Sequence, residues 1–385
     1  MKTTNNYTLL IVLLALLTSV TPLSIDTYLP SMPDIARSLH VDISKIEVTI
    51  SIFLISFALG QLFGGALSDR YGRKKIALIG LSIFTLANFA LYFSASLQEL
   101  YIFRAIQAFS GGLAIVNSSA MVRDIFHGKE AAKAFSSIAS ITMLAPMIAP
   151  SLGALIISYF QWNYIFLFLG LYSFFVLVAL SFNLVETGTP TKSKVLEAYK
   201  RVLTHKDALG FIIALSFGFS GMFIFIEKSS FIYIEYFGVS KQLFPFLFGA
   251  NVFVMILLTR YNIKLVERYE PKNILRVGLF IQFSAGIILS IITFTAPNLI
   301  AVTFMMTIYV GILGIIFGNG IATALEYFKN DSGIANSVIG VTEFTIAGFI
   351  GFLASLIHTA ELTPIFIMMS ITSLFALLAL KIKSN

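Results

Sequence analysis

An all-α membrane protein, with twelve transmembrane helices in two six-helix bundles related by pseudo-symmetry, is the fold class that this 385-residue sequence predicts. Three observations carry it. Hydrophobic residues make up 57% of the chain, charged residues only 12%, and mean hydropathy is +0.90, whereas soluble domains carry about 25% charged residues. The apolar runs are long and unbroken, as over 7–20 and 46–67. Strands of a membrane barrel instead alternate polar and apolar residues over about ten positions. Lipid cannot pair backbone N–H and C=O groups, so unbroken runs of this length are helices. The third observation is that the longest polar connection follows the sixth run and divides the chain nearly in half.

A span takes about 20 predominantly apolar residues. The first covers 7–34; its outer part carries Asp26, Pro30 and Pro33. Lys2 ahead of an apolar stretch has the outline of a signal peptide, but no small-x-small cleavage pattern follows, so the stretch reads as a span. The second covers 45–67 and ends in a glycine pair and a charged loop. The third, 74–94, opens on that loop's basic end. The fourth, 99–122, holds Arg104 and Gln107. The fifth, 134–158, holds Pro146, Pro150 and Gly153, and the sixth is 163–184. A polar linker, 186–206, separates an N-terminal bundle, 1–185, from a C-terminal one, 207–385. Spans seven to twelve are 207–234, 242–260, 273–295, 298–324, 334–357 and 363–381.

Charge sets the expected orientation. With the N-terminus in the cytoplasm, 21 of the 26 Lys and Arg residues fall in cytoplasmic segments and only Arg37, Lys45 and Lys241 outside. That asymmetry puts both termini in the cytoplasm. It also accounts for the net charge of +7 without nucleic acid as a partner. The chain has no cysteine, so disulfides and thiolate metal sites are excluded. His40, His127, His205 and His358 are scattered near span ends, and no Gly-x-Ser-x-Gly or phosphate loop stands out. A membrane-embedded enzyme or receptor is therefore disfavoured, and no metal or cofactor is expected.

The halves echo each other. Asp69-Arg70-Tyr71 follows the second span and Glu267-Arg268-Tyr269 the eighth; Asp26 and Glu227 lie deep in the first span of their halves. Transporters are often built from such repeats. A carboxyl group inside a span is costly and usually functional, and one shielded from water can exchange a proton near neutral pH. Asp26 is therefore the main candidate for proton coupling, unless the first helix ends early and leaves it interfacial. Arg104 lies at a similar depth and needs a partner; Asp26, Gln107 or a backbone carbonyl could supply one, or its side chain could snorkel outward. Tyr28, Gln107, Asn117, Phe223 and Asn251 are the candidates for a cavity that binds a small amphipathic compound, where aromatic faces suit cations. Adjacent helical positions point about 100° apart, so Glu227 and Lys228 cannot share one partner. Together with Glu343, they either tune substrate charge, add a second proton site or pair structurally.

The segment GGALSDRYGRKK, 64–75, resembles the signature loop of the major facilitator superfamily, matching at Gly65, Asp69, Arg70, Gly72, Arg73 and Lys74. SIDTYLPSMPDIA, RAIQAFSGG and APMIAPSLGALI narrow the resemblance to drug:proton antiporters of the Bcr/CflA type, over essentially the whole chain. The resemblance implies a monomer that exports small amphipathic drugs by alternating access, with the proton gradient as energy source. It ties Arg104 to proton coupling, the loop to a latch favouring the outward-facing state, and Pro146, Pro150 and Gly153 to antiport rather than uptake. Asp69 is expected to meet a helix N-terminus, that of the eleventh span near 331–335, while Gly64 and Gly65 let the second span approach a neighbour. Ala108, Ala149 and Ala154 stand where glycines are usual, Glu227 and Lys228 where small or polar residues are, and Glu343 where Gln is expected. A proton-coupled uptake symporter shares the fold, and the fifth-span motif is the sequence argument against it.

Overall fold

The computed structural model describes residues 4–187, 195–295, 297–328, 332–357 and 361–382. Among them every regular element is helical. Eleven helices are long and apolar enough to cross a membrane, and a twelfth apolar helix, Thr363–Ala379, has 17 residues. The chain divides into two compact units, Met1–Val41 with Ile52–Ser193, and Asp42–Ser51 with Lys194–Asn385.

The first unit contains α1 (Thr4–Asp26), α2 (Met32–Ser38), α3 (Ile43–Tyr71) from Ile52 onward, α4 (Arg73–Tyr92), α5 (Leu97–Ile125), α6 (Gly128–Thr142), α7 (Leu144–Tyr159) and α8 (Tyr164–Asn183). The predicted first span is thus broken. Pro30 has no N–H to give the Asp26 carbonyl and its ring crowds that carbonyl. Regular α-helix stops at Asp26, a 3₁₀ turn spans Leu29–Ser31, and α2 follows. The fifth span breaks likewise at Met143, because Pro146 cannot bond the Thr142 carbonyl. Leu14, Leu17, Leu81, Phe84, Met121 and Leu180 form the core where α1, α4, α5 and α8 meet.

The second unit contains the first turns of α3 and α9 (Val195–Thr204), α10 (Lys206–Ser230), α11 (Phe244–Val266), α12 (Pro271–Phe294), α13 (Leu299–Gly311), α14 (Leu313–Leu325), α15 (Ser332–Ser355) and α16 (Thr363–Ala379). α10 packs on α14, α15 and α16. Ile212, Leu215, Leu279, Ile316, Ile339 and Ala376 lie in its core. α10 passes into a π-helical turn, Phe231–Tyr236, and the tenth span breaks at Ile312 between the weak helix formers Gly311 and Gly314. The linker is not wholly irregular: α9 lies within it, with Val202 buried. Linker residues 188–194, with Lys192 and Lys194, lie outside the described residues. Phe182 is 84% exposed and Ile300 82% exposed, surfaces suited to lipid rather than water.

Candidate functional site

α5 starts at a capping box, in which Ser96 Oγ accepts from the Glu99 amide while the Glu99 carboxylate accepts from the Ser96 amide. Two turns on, Arg104 is fully buried. Its Nη1 donates to the Ser24 carbonyl at 3.1 Å and to Gln107 Oε1 at 2.8 Å. Gln107 Nε2 donates to Asn88 Oδ1 at 2.7 Å, and Asn88 Nδ2 to the Phe84 carbonyl at 2.8 Å. The guanidinium carbon sits 4.7 Å from the ring centroids of both Tyr28 and Phe53. Two aromatic faces thus stabilise a cation removed from water. Nε and Nη2 have no hydrogen-bond partner among the described residues.

Asp26 is buried at the end of α1 and forms no hydrogen bond or ion pair among the described residues. Of the three partners open to Arg104 from sequence, the structure selects Gln107 and a carbonyl, not Asp26. α7 packs against the break that ends α1: a Cβ on Gly153 would run into the Thr27 carbonyl and the Pro30 ring. Pro150 and Gly153 are buried on α7, and Pro146 is half-buried. The motifs of the first and fifth spans therefore meet beside Asp26.

The signature loop is held within its own unit. Gly72 takes φ 104°, which a side chain would strain. Arg73 pairs with Asp69 at 2.5 Å and Asp124 at 3.4 Å, and its Nη1 donates to Ser68 Oγ at 2.7 Å. A carboxylate at a helix N-terminus is supplied by Glu186, whose Oε1 accepts from the amides of Arg73 and Lys74 at 2.6 and 3.2 Å, at the start of α4. Within this unit Asp69 faces Arg73, one helical turn on. The proposed partner near 331–335 lies partly outside the described residues. Of the glycine pair, only Gly64 is in close packing, against Leu113 and Val116; Gly65 has open space where a Cβ would stand. Lys74 Nζ donates to the Ser181 carbonyl at 2.9 Å, and Arg70 lies over the Tyr71 ring.

In the second unit Glu227 and Lys228 take different partners, as their 100° separation requires. Lys228 Nζ donates to Glu47 Oε2 at 2.6 Å, and Ser51 Oγ donates to Glu227 Oε2 at 3.0 Å. Glu343 is buried, and its Oε1 has no partner among the described residues. Phe223 packs on Phe219 and Phe344, with ring centroids 4.8 and 6.2 Å away.

The cavity candidates divide between the units. Tyr28 and Gln107 are committed to Arg104. Asn117 and Asn251 donate to carbonyls of their own helices, and each keeps a buried Oδ1 with no partner among the described residues. An apolar pocket of about 380 Å³, lined by Tyr261, Tyr269 and Ile281 among others, includes none of these candidates. Sequence reasoning passed over Glu47, Ser51, Asn88, Asp124 and Glu186. Glu47 and Ser51 carry a signal, being polar residues one helical turn apart inside an apolar run. Glu186 carries none, because its partners are 113 and 112 residues away.

A family model described as Major Facilitator Superfamily matches residues 14–352. The chain is 30% identical over 375 residues to a bicyclomycin resistance protein homolog of Haemophilus influenzae, covering 96% of this chain and 94% of the relative. It is 25% identical to the multidrug resistance protein MdtL of Escherichia coli O17:K52:H18, over 84% and 82% of the two chains. The fold superposes on a partially occluded inward-open structure of the xylose transporter XylE from Escherichia coli with a TM-score of 0.77. That match has 13% identity and covers 97% of each chain.

Proposed function

The chain belongs to the Major Facilitator Superfamily, and on that premise we propose that this multi-pass membrane protein exports small amphipathic compounds in exchange for protons. It works by alternating access in the bacterial cytoplasmic membrane, as a monomer with both termini inside, drawing on the proton gradient and no bound cofactor. The observation that supports proton coupling most is the half-saturated guanidinium beside α1. Arg104 holds the Ser24 carbonyl, two residues before Asp26; among the described residues Asp26 has no partner and two of the guanidinium nitrogens are unused.

In this reading Asp26 carries the proton. Protonated, it leaves Arg104 to Gln107 and the Ser24 carbonyl. Ionised, it takes the free guanidinium nitrogens, which a rotation within the broken segment after Asp26 would bring to it. Proton and exported compound then bind in turn, so each cycle trades one for the other. The names of the relatives, bicyclomycin resistance and multidrug resistance, support the substrate class.

The test is proton counterflow. In inverted vesicles with an acidic interior, adding an exported compound should discharge the proton gradient as the compound accumulates inside. A compound that moves in the same direction as the proton would identify an uptake symporter and overturn the antiport reading.

A further inference from the structure

Four side chains in the second unit form a buried polar cluster that the Asp26–Arg104 account does not use. α3 brings Glu47 and Ser51, one turn apart on one face. α10 brings Glu227 and Lys228. Lys228 Nζ and Glu47 Oε2 are 2.6 Å apart, with side chains only 5% and 1% exposed. Glu227 is fully buried; its Oε2 accepts from Ser51 Oγ, and its Oε1 has no partner among the described residues. α15 supplies shape but no charge at this point. A Cβ on Gly351 would collide with the Glu227 carboxyl and the Ser51 hydroxyl, so only glycine leaves room for them.

The charges around Glu227 are few. α14 and α16, which also pack on α10, contain no Asp, Glu, Lys, Arg or His. Glu235 of the π-helical turn is exposed, as are Asp42 and Lys45 at the start of α3. The charged helix α9 adjoins the opposite end of α10, at Lys206. Glu343 is eight residues from Gly351 along α15, about 12 Å of helical rise. The cluster therefore holds two carboxyls and one ammonium. Lys228 neutralises one carboxylate, and its short contact is to Glu47. A second carboxylate, buried with one oxygen unpartnered, is strongly disfavoured. A neutral carboxylic acid is not: its carbonyl oxygen accepts from Ser51, and only a hydroxyl is left without a partner.

The geometry points to Glu227 as a second proton-binding site, separate from Asp26, that is protonated while Glu47 and Lys228 are paired. Removing the proton puts two carboxylates on one lysine and loosens the hold of α10 on the first turns of α3. The proton on Glu227 and the seat of those turns are thus linked. The site does not depend on which compound is carried or in which direction.

Infrared spectroscopy of the purified full-length protein tests this through the carbonyl stretch of protonated carboxylic acids at neutral pH. Glu227→Gln should remove one such band, while Asp26→Asn should leave it in place. Glu47→Gln should remove the same band, because Glu227 then ionises to balance Lys228. Lys228→Gln should add a band, as Glu47 also takes up a proton. A spectrum unchanged by Glu227→Gln, or a Glu227 band that survives Glu47→Gln, overturns the proposal. If Glu47→Gln fails to fold, Lys228→Gln decides alone: no added band contradicts the charge balance. A failed counterflow test would leave this band pattern untouched, so the two readings fail separately.

Discussion

Arg104 Nη1 donates to the carbonyl of Ser24 at 3.1 Å, so a buried cation on α5 is tied to the backbone of α1 two residues before Asp26. The same nitrogen donates to Gln107, while the Tyr28 and Phe53 rings flank the guanidinium. Position, charge and planarity all contribute to that arrangement.

Arg104→Lys keeps the charge and loses the fork. Hydrogen bonds to charged groups contribute about 1.5–3 kcal/mol each, and a lysine ammonium cannot reproduce the planar pattern. Transport should fall by about 10- to 100-fold while the protein still reaches the membrane. Drug resistance of an efflux-deficient strain, set against the amount of inserted protein, measures it. Full resistance with lysine would reduce Arg104 to a bare positive charge.

Beside the loop after α3 two carboxylates take different partners. Glu186 accepts the first amides of α4, and Asp69 pairs with Arg73. Both are partly screened by solvent. Glu186→Ala should cost about 0.5–1 kcal/mol of stability through the lost helix-terminus bonds, and Asp69→Asn no more than that. Thermal unfolding of the purified variants compares them. A larger loss in Asp69→Asn would show that its partner is more than Arg73.

Gly153 has no room for a methyl group beside the Thr27 carbonyl and the Pro30 ring. Gly153→Ala should cost about 1–3 kcal/mol, the range for overpacking a close contact, and should displace the break that follows Asp26. Lower thermal stability together with lost export is the expected pair of results. Ordinary stability would mean that α7 can move away without penalty.

The Glu47–Lys228 pair predicts strong coupling. Removing one partner of a buried pair costs about 3–5 kcal/mol where the other charge is left unmatched, and less here because the proton on Glu227 or Glu47 readjusts to rebalance the charge. Replacing both, as in Glu47→Gln with Lys228→Gln, should cost less than the two single changes summed. A double-mutant cycle on thermal stability measures the difference. Additive losses would show that the two side chains do not act as one pair.

The spans were legible because hydropathy is a property of each segment by itself. The breaks at Asp26 and Met143 were half legible: Pro30, Pro33, Pro146 and Pro150 announce a bend, but only the Pro30–Asp26 and Pro146–Thr142 offsets say where the ladder stops. The linker's polarity hides α9, although Val195, Tyr199 and Val202 stand at helical spacing. Asp26 and Arg104 stood out as charges inside apolar runs, yet their separation in this conformation depends on rotamers and on the Ser24 carbonyl. Glu47 stands near the start of the second span, and its burial beside Lys228 of α10 is a contact 181 residues away along the chain. Contacts such as Glu186 to Arg73 join distant parts of the chain and leave no local trace.

If Asp26 carries the coupled proton, Asp26→Asn leaves the protein without it. The measurement is proton release from acid-loaded inverted vesicles on adding an exported compound, with the variant present at wild-type levels in the membrane. The compound should still bind but should no longer discharge the gradient. Discharge at the wild-type rate would contradict it and move the coupled proton to Glu227 or Glu343.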